Sequence, residues 1–481
     1  MKKDFKYKIF GLSAFGCSLL ATAFFTYFLA STNMLPVLGI LFCVFAFILV
    51  ELGILAFSLD SRKKIRTVAM AIFSIIIILI QIFGSYYLLV GRSALEKITQ
   101  VGTEKSEVGV YVRIDDPAES LKDTKNYTFG ILEVQDRKIT DSALSSIGKI
   151  LGKAVNTKSY SSVEELMRGL LDSKEVYAIL LNKSFLELFS DIEGHEKDAE
   201  KIRELYSVIV ESEKIVAAPK ADKTVFSVYI SGIDCYGSIT RRSRSDVNII
   251  ATVNTQTGQI LLVSTPRDYY VPLSISNGVP DKLAHAGIYG IDVSRDTLAA
   301  LYETDIDYHF RVNFDGFKDI VNALDGISVY SEYDFKDGSY SFKKGVNELN
   351  GEQALAFARN RYSFASGDRQ RGKNQMAVVK AVINKAIGPA IIMNYKNILD
   401  SVAGSFDTNM PYDMITELIK TQIASQKKWN IVSYSVSGTG ESRKPYSSSS
   451  NAYVMIPDEE TVDHAKELIN KVKNGKTVTQ E

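Results

Sequence analysis

Hydrophobic positions divide the chain before any motif does. Three unbroken apolar runs, residues 10–30, 35–59 and 68–90, occupy the first ninety residues. Each is long enough to cross a hydrocarbon core of ~30 Å at 1.5 Å rise per residue. The all-aliphatic stretch 75–80 is too apolar for a surface helix, so three transmembrane helices are expected. Glu51 is the one carboxylate inside a run, and its cost there predicts a place between helices or at the interface. After about residue 97 the pattern changes to short segments of alternating or 3.6-residue periodicity.

Flanking charge gives an orientation. Lys2, Lys3, Lys6 and Lys8 precede the first run, and Arg62, Lys63, Lys64 and Arg66 separate the second from the third. The link between the first and second is uncharged. An excess of cations marks the cytoplasmic side, so the N-terminus is expected in the cytoplasm and everything after about Gly91 outside the cell. A signal peptide cleaved near Ala30 is disfavoured, and two further spans would hold the chain in the membrane regardless.

Periodicity in the remainder is α/β throughout. Residues 97–217 read as a small accessory α/β domain: strands at 108–114, 127–134 and 176–181, helices starting at Thr140 and at Ser161–Ser162, and a charge-rich stretch 193–204 taken as a solvated helix face or loop. No chemical constellation is evident there. A second domain, residues 224–472, begins with strands 225–230, 247–253 and 259–263, the last two joined by a hairpin-like turn at 254–258. Helices are expected at 294–302, 314–324, 351–359, 368–387, 414–424 and 459–472, strands at 308–312 and 327–331, and a loop at 437–451. The fold class is therefore α/β: a membrane region of three helices (1–92), an accessory domain, and an α/β sandwich with a mixed central sheet.

Composition narrows the function. Lys plus Arg and Asp plus Glu both number 56, so no global field exists and a generic nucleic-acid binder is excluded. Only one of three cysteines, Cys235, lies outside the apolar runs, so no intramolecular disulfide can form in the outer domains. No base accompanies Cys235, and it reads as a small buried thiol.

Candidate chemistry lies in local clusters. Arg359, Arg361, Arg369 and Arg371 fall within thirteen residues, around the single carboxylate Asp368. A helix dipole accounts for one terminal arginine, not four. Each guanidinium is a rigid fork of donors that matches phosphate oxygens. Asp368, Arg371 and Gln375, at i, i+3 and i+7, share a helix face. Upstream, Asp234 and Asp246 edge predicted strands, Arg244 is two residues before Asp246 on the same strand face, and Arg267 follows a buried strand at Ser264–Thr265–Pro266. Two carboxylates among arginines suit either Mg²⁺ shared with substrate phosphates or plain ion pairing with Arg241 and Arg244. No His-Glu-x-x-His motif, phosphate-binding glycine loop or nucleophile elbow occurs, and His195, His285, His309 and His464 are scattered. Phosphoryl transfer by positioning and charge neutralisation is the expected reaction class.

Several separated motifs, in order, resemble the LytR–CpsA–Psr family of Gram-positive cell-envelope enzymes. They are Ser231–Asp234, Arg244–Asp246, Ser264–Asp268, Asp281–Gly287, Asn313–Phe317, Asn350–Leu355 and Ala358–Arg361 with Gly367–Asp368 and Arg371, covering about 224–436. The three spans and the intervening domain look like the capsule-assembly branch, the CpsA type of streptococci. The resemblance implies transfer of capsular polysaccharide from an undecaprenyl-pyrophosphate carrier to peptidoglycan at the outer membrane face, with other capsule-assembly proteins as partners and no nucleic acid. It implies Mg²⁺ on Asp234 and Asp246, a pyrophosphate clamp of Arg244, Arg267, Arg359, Arg361, Arg371 and Gln375 with Lys282 as a weaker member, and catalytic roles for Arg244, Asp246, Arg267 and Asp368. Asp368 would order the arginines or assist proton removal. Asn374 stands where the family often has a further arginine. Phe314, Phe317, Ile320, Val321 and Leu324 are candidates to line a polyprenyl channel. A lipid-phosphate sensor without turnover and a hydrolase that releases the polymer use the same clamp and stay open as alternatives.

Overall fold

The computed structural model describes residues 2–32, 37–59, 64–99, 103–192, 194–213, 224–235, 239, 241–364, 367–388, 402 and 404–480. The chain forms two compact units, one of residues 1–100, 387–403 and 410–428, the other of 101–386, 404–409 and 429–481.

In the first unit, α1 (Lys2–Ser31), α2 (Val37–Leu59) and α3 (Lys64–Thr99) carry the apolar runs. Each contains a 23-residue stretch long and apolar enough to cross a membrane. Glu51 is buried among them, as its cost in hydrocarbon requires. Its carboxylate accepts hydrogen bonds from Ser18 Oγ at 2.7 Å and Thr22 Oγ1 at 2.8 Å, and Gln81 Nε2 donates to Thr22 Oγ1 at 2.6 Å. A polar seam thus ties all three helices where lipid offers no hydrophobic drive for association. The helix Tyr412–Ser425 belongs to this unit, and Tyr412 donates its hydroxyl to the Thr32 carbonyl.

The second unit holds two sheets. The first runs β1 (Thr103–Arg113), β2 (Thr128–Leu132), β3 (Asn156–Tyr160), β4 (Ala178–Asn182) and β5 (Ile202–Glu213) in chain order, arranged β3-β2-β4-β1-β5. The helices Arg137–Leu151 and Val163–Leu171 supply cores on its two faces, one around Ile147 and Val110, the other around Leu166 and Phe185. Two expectations fail here. The helix expected at Thr140 begins at Arg137, because Asp136 turns the chain in a left-handed conformation. The charged stretch 193–204 gives only a short 3₁₀ turn before entering β5, whose Leu205, Val208 and Val210 pack on the sheet. Charge at the start of an edge strand hid its periodicity.

The second sheet contains β6 (Val225–Ile233), β7 (Ser245–Asn254), β8 (Gln259–Ser264), β11 (Tyr308–Val312), β16 (Phe406–Thr408) and β17 (Asn430–Ser435), ordered β16-β11-β6-β7-β8-β17. It is mixed: β6–β7–β8 pair antiparallel, while β11 and β17 add in parallel. Small ladders surround it: β9 (Tyr270–Pro272) with β10 (Pro280–Lys282), β12 (Ile327–Ser331) with β15 (Gly345–Leu349), β13 (Phe335–Asp337) with β14 (Tyr340–Phe342), and β18 (Gly438–Arg443) with β19 (Ala452–Pro457). The last pair lies partly where a loop was expected; serines and glycines conceal β18 because it is exposed and needs no apolar alternation. The helices Glu459–Lys473 and Asp368–Ala386 pack on opposite faces of the sheet, through Val462 and Ile469 on one and Met376 on the other.

Candidate functional site

The β6–β7 ladder breaks register at the end that matters. Gly232 pairs with Val247 and Ile233 with Ser245, so Asp246 is the extra residue of a β-bulge. A bulge re-aims the side chain it carries. Gly232 is required there, since a β-carbon would stand 2.8 Å from Val247 Cγ2. Arg244 therefore does not reach the site by strand alternation, as expected; it precedes β7 and is held from another direction.

At this end lies a cavity of about 820 Å³. Asp234, Arg244, Asp246, Arg267, Arg359, Arg361, Arg371 and Gln375 all line it, gathered from five separate segments. Asp234 and Asp246 are ion-paired, but with distant arginines instead of the neighbouring Arg241 and Arg244. Arg359 comes within 3.8 Å of Asp234, and Arg267 donates to Asp246 at 2.9 Å. Arg359 also lies 4.1 Å above the Phe314 ring, and Arg361 donates to the Tyr362 hydroxyl at 2.6 Å. Arg371 and Gln375 share a face of the helix Asp368–Ala386, whose backbone starts at Asp368; the side chain of Asp368 lies outside the described residues. Asn374 donates to the Phe357 carbonyl at 3.3 Å, joining two helices that both contribute to the wall.

Sequence reading missed the support for Arg244. The 3₁₀ segment Lys183–Asp191, after β4 of the first sheet, carries Glu187 and Asp191 into the site. Glu187 accepts from the Ser243 hydroxyl and, at 3.0 Å, from the Arg244 backbone N–H. Asp191 accepts from Arg244 at 3.1 Å and lies 3.5 Å from Lys282 and 3.3 Å from His285 Nε2. The stretch judged free of chemistry thus supplies two carboxylates. The Ser190–Asp191 pair gave no motif, because the contacts span more than fifty residues.

Electrostatics follow from these contacts. Burial alone would raise the Asp191 carboxyl, but the hydrogen bond and charge of His285, with Lys282 and Arg244, hold it well below the ordinary carboxylate range. Burial opposes charge on His285 too, yet Asp281, 2.7 Å from Nδ1, and Asp191 raise its pKa. Burial likewise raises Glu187 above its usual value and pushes the Cys235 thiol up to about 11, as an inert thiol requires. Arg267, although burial disfavours its charge, is kept cationic by Asp246 and Asp268. The Nε atoms of Arg244 and Arg267 are buried without a hydrogen-bond partner. Each lies beside a carboxylate too far for a hydrogen bond, Glu187 at 3.8 Å and Asp268 at 3.7 Å.

Lys282 does not line this cavity. It is buried between Asp191 and Asp268 and faces a neighbouring one. The expected apolar channel is realised in part: Phe314 and Phe317 line the cavity with Val312, Leu355, Val378 and Val379. Val321 and Leu324 are core residues, since their helix turns that face inward, and Ile320 is not on the wall.

No group of three or more His, Cys, Asp or Glu suited to a metal occurs among the described residues. A cage built from protein alone is therefore absent there. Asp234 and Asp246, which both line the cavity, are the hard oxygen donors that a cation such as Mg²⁺ would take, together with phosphate oxygens and water.

A mixed sheet between helices, with arginines and apolar side chains lining one cavity, defines an α/β protein. The chain belongs to the LytR_cpsA_psr family, whose model matches residues 189–471. That match extends beyond the motif-bearing region on both sides and includes Asp191. A relative from Enterococcus faecalis (strain ATCC 700802 / V583), polyisoprenyl-teichoic acid–peptidoglycan teichoic acid transferase TagU, is 33% identical over 247 residues, covering 50% of this chain and 80% of the relative. The protein of that name from Bacillus subtilis (strain 168) is 33% identical over 236 residues, covering 47% and 76%. The crystal structure of B. subtilis TagV is 28% identical with a TM-score of 0.45, covering 53% of this chain and 100% of that one.

Proposed function

We propose that this protein is a membrane-anchored transferase that moves a glycopolymer from a polyprenyl-pyrophosphate carrier to peptidoglycan, and that its polymer is capsular polysaccharide. The observation that carries the reading is a single cavity lined both by five arginines and by apolar side chains such as Phe314, Phe317, Val312 and Leu355. Pyrophosphate is a double anion with forked oxygens, and a polyprenyl chain is pure hydrocarbon; few ligands combine the two. The names of the relatives, which act on polyisoprenyl-linked teichoic acid and peptidoglycan, support the same class. Three apolar helices before a separate α/β region support the capsule-assembly assignment. Cations flanking the spans support a cytoplasmic N-terminus and an outer site.

In this mechanism an acceptor sugar hydroxyl attacks the phosphorus nearest the glycan. Its oxygen forms the new P–O bond, the P–O bond to the lipid phosphate breaks, and undecaprenyl phosphate leaves. The hydroxyl proton passes to a carboxylate of the site, for which Asp368 is the candidate. Arg244 and Arg267 take developing charge on the bridging and terminal oxygens, and Arg359, Arg361, Arg371 and Gln375 orient the pyrophosphate. Asp191, Asp234 and Asp246 hold arginines in place before the ligand arrives, so little reorganisation is needed in the reaction. Mg²⁺, held by Asp234 and Asp246, would supply further neutralisation of the pyrophosphate.

The test is the full-length chain in lipid vesicles with a polyprenyl-pyrophosphate oligosaccharide, a peptidoglycan oligomer and Mg²⁺, for wild type and Arg267→Ala. Glycan covalently joined to the oligomer, lost in the variant and on chelation, is the expected result. Free glycan phosphate would instead mark a hydrolase, and lipid binding without product a sensor.

A further inference from the structure

A second cavity of about 370 Å³ adjoins the first. The two share Ser190, Asp191, Arg267 and Arg361 as a wall, and none of the apolar side chains that line the first lines the second. Past that wall the second cavity is lined by Asp268, Lys282 and Tyr453. Asp268 and Lys282 stand 3.6 Å apart, with side chains only 11% and 4% exposed, so both are held in fixed positions. Tyr453 differs, being 55% exposed although its neighbours on β19, Ala452 and Val454, are buried. Its ring lies against Gly440 of β18, where a β-carbon would come 2.8 Å from ring atom Cε2. The missing side chain at Gly440 lets the aromatic ring settle on backbone. The Met455 N–H to Asp268 carbonyl bond, at 2.7 Å, ties this strand to the clamp.

A half-exposed aromatic ring that lines one cavity with a fixed carboxylate and ammonium is chemistry suited to a sugar. A pyranose offers a face of C–H groups to an aromatic ring and edge hydroxyls to charged hydrogen-bond partners. A cavity of this size takes one small ligand group. We propose that the second cavity is the subsite for the acceptor pyranose, with Tyr453 as its stacking platform and Asp268 and Lys282 binding its hydroxyls. The proposal rests on the transferase reading and adds an acceptor site to it. Displacement at phosphorus places attacking and leaving oxygens roughly in line. Because the two cavities share Arg267 and Arg361, a hydroxyl held in the second would stand beside the same arginines that hold the pyrophosphate in the first. The first sugar of the donor has the same chemistry, and kinetics separate the two sources.

The experiment compares full-length wild type, Tyr453→Ala and Tyr453→Phe in vesicles, varying donor and acceptor oligosaccharides independently. Tyr453→Ala is expected to raise the acceptor KM about five- to tenfold, the order of one lost aromatic contact, with donor KM unchanged and with recovery in Tyr453→Phe. A rise in donor KM instead, or no change in either, overturns the proposal. Binding of a peptidoglycan oligosaccharide to the same proteins, measured by titration calorimetry without donor, reads the subsite independently of turnover. Binding by wild type that weakens in Tyr453→Ala supports the subsite even if no transfer is seen, in which case only the transferase reading fails. Equal binding by both, or none by wild type, overturns the subsite.

Discussion

The two sheets of the second unit share a plan, strands covered by helices on both faces, yet they handle charge in opposite ways. On the first sheet two ion pairs sit on the outside: Lys158–Glu175 and Arg137–Asp141 have side chains about half exposed. Such pairs contribute little and do not fix geometry. At the end of the second sheet the pairs withdraw from water, with Arg244, Arg267, Asp191 and Asp246 all under 20% exposed. There each cation meets a carboxylate from a distant segment, and the cost of burial is offset only while the partners stay in place. The lesson is that arginine count does not make the site; burial with a remote partner does. The 3₁₀ segment after β4 of the first sheet supplies Glu187 and Asp191, which support the second sheet's Arg244.

Breaking the second sheet's arrangement should be far more damaging than altering the first. Arg267→Ala removes a buried donor and strands Asp246; a fall in kcat/KM for glycan transfer of about 10²–10³ is expected. Gly232→Ala drives a β-carbon into Val247 at the bulge. It should cost ~1–3 kcal/mol of stability, seen as a lower thermal midpoint, along with activity because Asp246 is re-aimed.

Asp191→Asn sharpens the comparison, because it acts on the second sheet from a residue of the first layer. A loss of roughly tenfold in kcat is expected from loosened Arg244, recovered in part by Asp191→Glu. It should also change the pH dependence of stability. Asp191 has a depressed pKa in the folded chain, so its contribution is present above the ordinary value of ~3.9 and lost as pH falls through the folded one. His285 is raised, so its contribution is complete below ~6.5 and lost as pH rises through its folded value. With Asp191 neutral, only Asp281 sustains that rise, and the decline on the alkaline side should move to lower pH in melts from pH 5 to 9. The smallest effect belongs to the first sheet. Ser162→Ala removes the helix cap that accepts from the Glu165 N–H and should cost ~1 kcal/mol without changing transfer per folded molecule.

Much of this protein was legible in its residues. Spans, α/β periodicity and most element positions follow from local patterning, because a helix or strand must show its buried face at a fixed period. The strands 308–312 and 327–331 and the helix 351–359 match the observed elements, and burial alternates cleanly along 327–331. Strands β5 and β18 were hidden for the converse reason, one beginning in charge and the other lying exposed. The clamp arginines stood out because guanidinium clusters have few structural uses, and the structure brings eight of the named side chains to one cavity.

What the residues could not show depends on register and on distance along the chain. The bulge that displaces Asp246 is a one-residue slip between two strands, invisible to either alone. The partners of Asp234, Asp246 and Arg244 were assigned by neighbourhood in the chain, whereas the fold chose Arg359, Arg267 and Asp191. The serines at 447–450, read as loop, close around buried groups: Ser447 bonds Asp281, and Glu164 accepts from Ser449 and Ser450. Tyr453 became a platform only because β18 set a glycine beneath it. Local periodicity is a property of neighbouring residues and is written in their order. Which charges meet in the interior is decided by desolvation, and that cost exists only once the whole chain has closed around them.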